Sequence, residues 1–316
     1  MTALGLDTSN YTTSAAVFDG ESGLNAGKLL SVKPGELGLR QSDALFQHVK
    51  ALPERMEELR RAGALENLSA VCASTRPRAV EGSYMPCFLA GESLGRSLAQ
   101  TLDVPFFAVS HQQGHLAAAA WSAGRMELLD APFLAWHLSG GTTELLYVEP
   151  EGVNVNARRI GGTSDISAGQ LIDRCGVLLG LPFPAGKALD ELSRSCADRP
   201  RPLRRKLDGL EFSLSGVENQ IKERVERGEA HEEVAAFCLD TVAQAVREAT
   251  VEAQNRYPGL PVLCSGGVAS NTRLRYVLTE FCQAIFAQPR YSTDNAMGVA
   301  ILGCRMGEVM IDKRKG

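Results

Sequence analysis

Phe133-Leu134-Ala135-Trp136-His137-Leu138-Ser139-Gly140-Gly141-Thr142-Thr143-Glu144-Leu145-Leu146-Tyr147-Val148 reads as an apolar strand, a turn of small polar residues and a return strand. Small turn residues leave backbone N–H groups uncovered, where they can cradle phosphate oxygens. The same plan opens the chain. A short apolar strand ends at Asp7-Thr8-Ser9, residues 12–18 return, and Asp19-Gly20 closes with turn chemistry. This weak internal duplication predicts two lobes, each opening with a hairpin: residues 1–130, and residues 131–316 with the last helix.

Between the hairpins the pattern predicts a strand over 69–74, a helix near 88–102, a strand over 104–109 and a helix starting at His111. Ser110 followed by Gln113 fits a capping box at that start. Further on, a helix over 232–256 leads into Pro261-Val262-Leu263-Cys264 and then Ser265-Gly266-Gly267. A last helix begins after Thr293-Asp294. Strands alternating with helices give an α/β architecture. The proline-interleaved basic cluster Arg199, Arg201, Arg204, Arg205 and Lys206 could contact phosphates but reads first as a solvated surface loop.

The length of 316 residues suits two lobes rather than one core. A net charge of −4 predicts no general attraction to nucleic acid, so any such contact requires a local patch. Eight cysteines without Cys-x-x-Cys spacing, several in apolar runs, read as buried thiols of a reducing compartment. The first residues lack a signal-peptide pattern and no apolar run reaches about 20 residues, so a cytoplasmic protein without membrane contact is expected.

His111 and His115 are four apart on one helix, and residues at that spacing share a face. Joined by a carboxylate from Asp294, they form a plausible three-ligand metal site with open positions. A bare His-x-x-x-His spacing is a weak signal, and by itself it fits better one satisfied structural histidine with the other incidental. Gln112, Gln113 and Gly114 fill the interval, so His-Glu-x-x-His is not met and no glutamate base for peptide hydrolysis sits there. Three small turns, Asp7-Thr8-Ser9, Ser139-Gly140-Gly141 and Ser265-Gly266-Gly267, each follow an apolar strand. One alone is an ordinary turn. Together they favour a nucleotide held between two lobes at the carboxyl ends of the strands. Asp173 reads as a solvated carboxylate beside an arginine, and Pro184-Ala185-Gly186-Lys187 as a helix stop.

Ser110-His111-Gln-Gln-Gly114-His115-Leu116, Leu138-Ser139-Gly140-Gly141-Thr-Thr143, Leu179-Gly180-Leu181-Pro182-Phe183-Pro184-Ala-Gly186, Phe212-Ser213-Leu-Ser215-Gly216, Ser265-Gly266-Gly267-Val268-Ala269-Ser270-Asn271 and Thr293-Asp294-Asn295-Ala296 follow in order after an initial Asp-Thr-Ser. That series, over about residues 4–305, resembles the universal tRNA threonylcarbamoyladenosine transferase (glycoprotease) family, formerly described as O-sialoglycoprotein endopeptidases. The resemblance implies the two-lobed actin/Hsp70/sugar-kinase-like (ASKHA) fold with duplicated ribonuclease-H-like domains. It implies one divalent metal, iron or zinc, on His111, His115 and Asp294. It implies a nucleotide, ATP or an acyl-adenylate, contacted by Ser139, Gly140, Gly141, Asp173, Gly186 and Asn271, with Thr142, Gly266 and Gly267 completing the turns.

The activity implied is an acyl or carbamoyl transfer. A threonylcarbamoyl group moves from its adenylate to the adenosine beside the anticodon of certain tRNAs, with partner proteins that make the adenylate and support turnover. The chain departs from the family pattern at Asn10-Tyr11-Thr12, at Arg76-Pro77-Arg78, at Gln113 and Thr142, where the family carries Glu and His, and over 163–170. These departures mark a divergent paralogue. They leave open a carbamoyltransferase acting on another acceptor and a catalytically silent ATP-binding protein.

Overall fold

The computed structural model describes residues 1–32, 39–293 and 295–315, with side chains up to residue 311. In chain order the elements are β1 (Ala3–Thr8), β2 (Thr12–Phe18), β3 (Gly23–Leu29), α1 (Gln41–Arg61), β4 (Ala70–Arg76), α2 (Leu89–Leu102), β5 (Phe106–Ser110) and α3 (His111–Ser122). There follow β6 (Phe133–Leu138), β7 (Thr143–Glu151), β8 (Asn154–Thr163), α4 (Ala168–Leu178), α5 (Gly186–Arg194), β9 (Glu211–Phe212), α6 (Ser215–Glu226) and α7 (His231–Arg256). The chain ends with β10 (Val262–Ser265), α8 (Thr272–Cys282), β11 (Ile285–Phe286) and α9 (Met297–Lys315).

Two sheets result, ordered β3-β2-β1-β4-β5 and β11-β10-β6-β7-β8-β9. Read from its opening hairpin, each sheet has the same plan. A strand pairs antiparallel with the next, a third extends the meander, and two later strands add in parallel on the other side. This is the duplicated ribonuclease-H-like plan, and both predicted hairpins are present. Neither third strand is predicted from the sequence. β3 is an edge strand whose outer residues are exposed, and β8 carries Asn, Arg and Gly where alternation would need apolar residues.

The chain divides into two compact units: residues 1–131, 149–157 and 293–316, and residues 132–148 with 158–292. Two segments of the stretch after residue 131, the β7–β8 tip and α9, thus group with the first unit. In that unit β1 is buried throughout, as expected of a central strand covered on both faces. One covering element is α9, and glycine permits the approach: a Cβ on Gly5 would stand 2.7 Å from the Ala296 carbonyl oxygen. In the second unit α7 is the core helix, and the fully buried Trp136 donates its indole N–H to Thr250 Oγ1 at 2.9 Å.

All eight cysteines are buried and free. Burial pushes the Cys87 and Cys282 thiols up to about 11, which makes them inert at neutral pH. No helix among the described residues is long and apolar enough to cross a membrane.

Candidate functional site

β5 delivers Ser110 in extended conformation as the N-cap of α3. Its Oγ accepts from the Gln113 N–H at 3.2 Å, and Gln113 Oε1 accepts from the Ser110 N–H at 2.8 Å, so the predicted capping box is complete. The Gln113 amide then donates to the Val155 carbonyl at 2.7 Å. Gln113 therefore fastens the helix start rather than presenting a base. On this fixed first turn, His111 and His115 bring their Nε2 atoms to 2.9 Å, with ring planes crossing at 77°.

Asp7, buried at the end of β1, places Oδ2 2.6 Å from His111 Nδ1. A carboxylate only accepts, so His111 Nδ1 carries a proton, and in the neutral ring this leaves the Nε2 lone pair to offer a ligand. This is the arrangement by which a carboxylate orients a metal-ligating imidazole. The Asp7-Thr8-Ser9 turn, expected to cradle phosphate, thus has a second use in holding His111. Asp7 Oδ1 also accepts from the Ser9 N–H at 3.0 Å.

Asp294 lies outside the described residues. Among the described residues no group of three His, Cys, Asp or Glu side chains is arranged to hold a metal. The two converging imidazole nitrogens fit two positions of the expected three-ligand set. Beyond residue 294, the Ala296 N–H donates to Ser14 Oγ and to Asn25 Oδ1, which ties the start of α9 to β2 and β3.

In the second unit the β6–β7 turn and three helix starts surround a cavity of about 510 Å³. Its lining includes Gly140, Asp173, Gly186, Gly267 and Asn271, five of the nine residues expected on the nucleotide side. Gly140 and Gly267 face open space where a side chain would stand, so the backbone there is bare toward the cavity. Ser139, Gly141, Thr142 and Gly266 are not among the lining residues. Ser139 closes the turn, its N–H donating to the Thr142 carbonyl and its Oγ accepting from the Thr142 N–H. Gly266, at φ +96°, lets the chain after β10 press against the Leu138 carbonyl, where a Cβ cannot fit.

The start of α4 is sewn to that turn. Ser167, its N-cap, donates through Oγ to the Gly140 carbonyl at 2.7 Å, and the Ala168 N–H donates to Thr143 Oγ1 at 2.8 Å. Asp173, one turn on, accepts from the Ala185 N–H at 2.8 Å and so fixes the first turn of α5. The expected pairing of Asp173 with an arginine is not made: Arg174 turns to Glu218. Pro184-Ala185-Gly186-Lys187 likewise begins a helix instead of ending one, because the Asp173 acceptor holds its start.

Asp190 on α5, buried, completes the frame. Its Oδ1 accepts from Asn271 Nδ2 at 2.9 Å and Thr272 Oγ1 at 2.8 Å. Asn271 in turn N-caps α8, accepting from the Leu274 N–H at 2.9 Å. Asp190 and Lys187 line the cavity but are not picked out by sequence reasoning. Their one signal is the acid placed three residues after the only lysine of an amphipathic helix. Apolar walls from Ile172, Pro184 and Val268 with a few convergent polar groups are the usual composition of a small-molecule site. Outside the lining, burial alone would raise the Asp165 carboxyl. Hydrogen bonds from Ser213, Leu214 and Ser215 outweigh that and hold it well below the usual carboxylate range.

Residues 38–301 match the family profile of tRNA N6-adenosine threonylcarbamoyltransferase. The chain belongs to this family. A tRNA N6-adenosine threonylcarbamoyltransferase of Granulibacter bethesdensis is 32% identical over 95% of this chain and 87% of its own length. One of Legionella pneumophila is 30% identical over 96% and 93%. The chain is thus a transferase of this family, as its motif series implies. Solved structures share the fold at low identity. Component A of the (R)-2-hydroxyglutaryl-CoA dehydratase of Acidaminococcus fermentans aligns with TM-score 0.57 and 16% identity, over 98% of this chain and 99% of that one. Full-length HypF in its phosphate- and nucleotide-bound form aligns with TM-score 0.62 and 14% identity, over 98% and 55%. A ROK family protein from Streptococcus pneumoniae aligns with TM-score 0.52 and 10% identity, over 99% of this chain and all of that one. These neighbours belong to the actin/Hsp70/sugar-kinase fold.

Proposed function

We propose that this protein transfers the threonylcarbamoyl group of threonylcarbamoyl adenylate to N6 of the adenosine beside the anticodon of tRNA, in the cytoplasm and with partner proteins that make the adenylate. The observation that carries this reading is the convergence of Gly140, Asp173, Gly186, Gly267 and Asn271 on one cavity from separate chain segments. The glycine backbone of the β6–β7 turn and of the β10–α8 connection offers N–H groups to phosphate and ribose oxygens. Lys187, the one cation lining the cavity among the described residues, supplies charge for the phosphate. Asp190 spends both its oxygens on the frame and Asp173 one, so each acts through what it holds. In the reaction the amine forms a bond to the carbamoyl carbon, the acyl–phosphate bond breaks, AMP leaves and the amine proton is released.

His111 and His115, with Asp294, are assigned to one iron or zinc ion, which when bound would polarise the acyl or phosphate oxygen as a Lewis acid. Asp7 orients His111 for that role, and the Ser110–Gln113 box keeps both imidazoles on one face.

The test supplies threonylcarbamoyl adenylate and unmodified tRNA to the purified protein with its partners and digests the tRNA for nucleoside analysis. Threonylcarbamoyladenosine forming with wild type and not with His111→Ala is the expected result. Its formation by metal-free His111→Ala protein overturns the metal assignment. No formation under any condition, with AMP still bound, overturns the activity.

A further inference from the structure

A second cavity, about 560 Å³, lies between the loop 204–207 and the outer face of α7. Arg204, Arg205, Lys206 and Arg247 line it. The acidic groups facing them are Glu248 and Glu252. Glu252 is taken by Arg256 at 2.9 Å, and Glu248 is shared between Gln244 at 2.7 Å and the 86% exposed Arg204 at 3.5 Å. Arg205, Lys206 and Arg247 make no ion pair with a described residue. Six other arginines of the same unit, Arg159, Arg174, Arg199, Arg224, Arg227 and Arg273, each carry a carboxylate partner.

Packing holds two of these cations in place. The Arg247 guanidinium stands 5.0 Å from the centre of the Phe281 ring, and the Arg205 guanidinium lies against Gly216, where a Cβ would meet it at 3.4 Å. The Nε atoms of both are enclosed without a hydrogen-bond partner. Side chains already ordered and lacking a counter-charge lose little freedom on meeting a phosphate. The half-exposed Val251 and the stem of Leu207 add apolar surface to the same wall. The chain as a whole is acidic, so an attraction to a polyanion has to be local, and this groove is such a place.

We propose that the groove between residues 204–207 and α7 binds the phosphate backbone of RNA, as a docking surface separate from the nucleotide cavity. The proposal rests on the tRNA acceptor of the preceding reading. Linear, repeated negative charge suits a row of cations with modest acidic interruption, and the apolar wall accommodates a ribose or base edge.

The test measures binding of an unmodified tRNA transcript to the full chain by fluorescence anisotropy from about 50 to 200 mM salt, for wild type and for Arg204→Ser/Lys206→Ser. Both residues are exposed, so the fold is kept, and unchanged AMP affinity checks this. Loss of two phosphate contacts is expected to lower affinity about tenfold at 100 mM salt and to flatten the slope of log K against log salt by about 1.5. Affinity and slope equal to wild type overturn the groove. Polyglutamate binding as tightly as the transcript, and losing as much in the variant, overturns the assignment to RNA. A wild type that binds tRNA with this slope but transfers no group leaves the groove standing and overturns the proposed activity. A wild type that transfers the group while the variant binds tRNA unchanged overturns the groove alone.

Discussion

Asp7 and His111, 104 residues apart, meet at 2.6 Å between Oδ2 and Nδ1. The contact makes a strand end from the first hairpin the outer support of a helix start three strands later. Asp7→Asn keeps the shape, but its amide can present N–H where an acceptor is needed. Partners of this kind typically account for 10–100-fold in metal affinity. Metal competition against a chelator should therefore show about a 10–100-fold weaker complex for Asp7→Asn and none for His111→Ala. Equal affinity of wild type and Asp7→Asn would remove Asp7 from the site.

Gly298 of α9 crosses α3 at Gly114, so closely that a Cβ on Gly298 collides with the Gly114 carbonyl. Glycine to alanine inside a helix ordinarily stabilises by about 1 kcal/mol. Here Gly298→Ala should instead cost about 3 kcal/mol or more, because backbone must move. Gly114→Ala meets the Val299 methyl at 3.0 Å and no backbone atom nearer than 3.6 Å, so it should cost less. Urea unfolding of both variants checks the order, and a stabilised Gly298→Ala would contradict the packing.

His48 is fully buried, its Nδ1 2.8 Å from Thr13 Oγ1. Burial lowers its pKa, against smaller opposing effects of the Ser9 backbone and the Asp7 charge. A base depressed in the folded state binds its proton more readily when unfolded. Its contribution is thus whole above the unfolded value near 6.5 and is lost as pH falls from there toward the folded value. Relative to His48→Gln, wild type should lose stability between pH 7 and 5 with an added slope of at most about 1.4 kcal/mol per pH unit. Parallel pH profiles of the two proteins would show that His48 titrates alike in both states.

Lys187 is exposed at the cavity and without an ion pair among the described residues. Lys187→Ala should weaken AMP about five- to tenfold, near 1–1.4 kcal/mol, and leave adenosine unchanged. Calorimetry with both ligands separates this from a structural effect, which would weaken both. Asp190→Ala should weaken both, because Asn271 and Thr272 lose their shared acceptor at a cost of about 2 kcal/mol.

The duplicated hairpins, the capping box at Ser110 and the His111–His115 face were legible in the sequence because each is local. Alternation, cap chemistry and helical spacing operate within a few residues. The third strands are less legible: β3 is an exposed edge strand that needs no apolar alternation, and β8, between β7 and β9, carries Asn, Arg and Gly where alternation would need apolar residues. Gly266 and Ser139 read as ligand-loop residues, and the fold gives each a structural use as well, a close crossing at Gly266 and a turn closure at Ser139. A small residue reads the same whichever purpose it serves.

From its sequence alone, then, this protein has two lobes of one repeated plan, a histidine pair on one helical face and glycine turns after apolar strands. Only the tertiary structure decided that Asp7 supports His111, that Asp173 and Asp190 brace the cavity while Lys187 faces it, that α9 returns to the first unit, and that a basic loop closes a groove on α7. Those are meetings of residues tens to hundreds of positions apart. The burial and hydrogen bonding of the folded chain create them, and no local propensity encodes them.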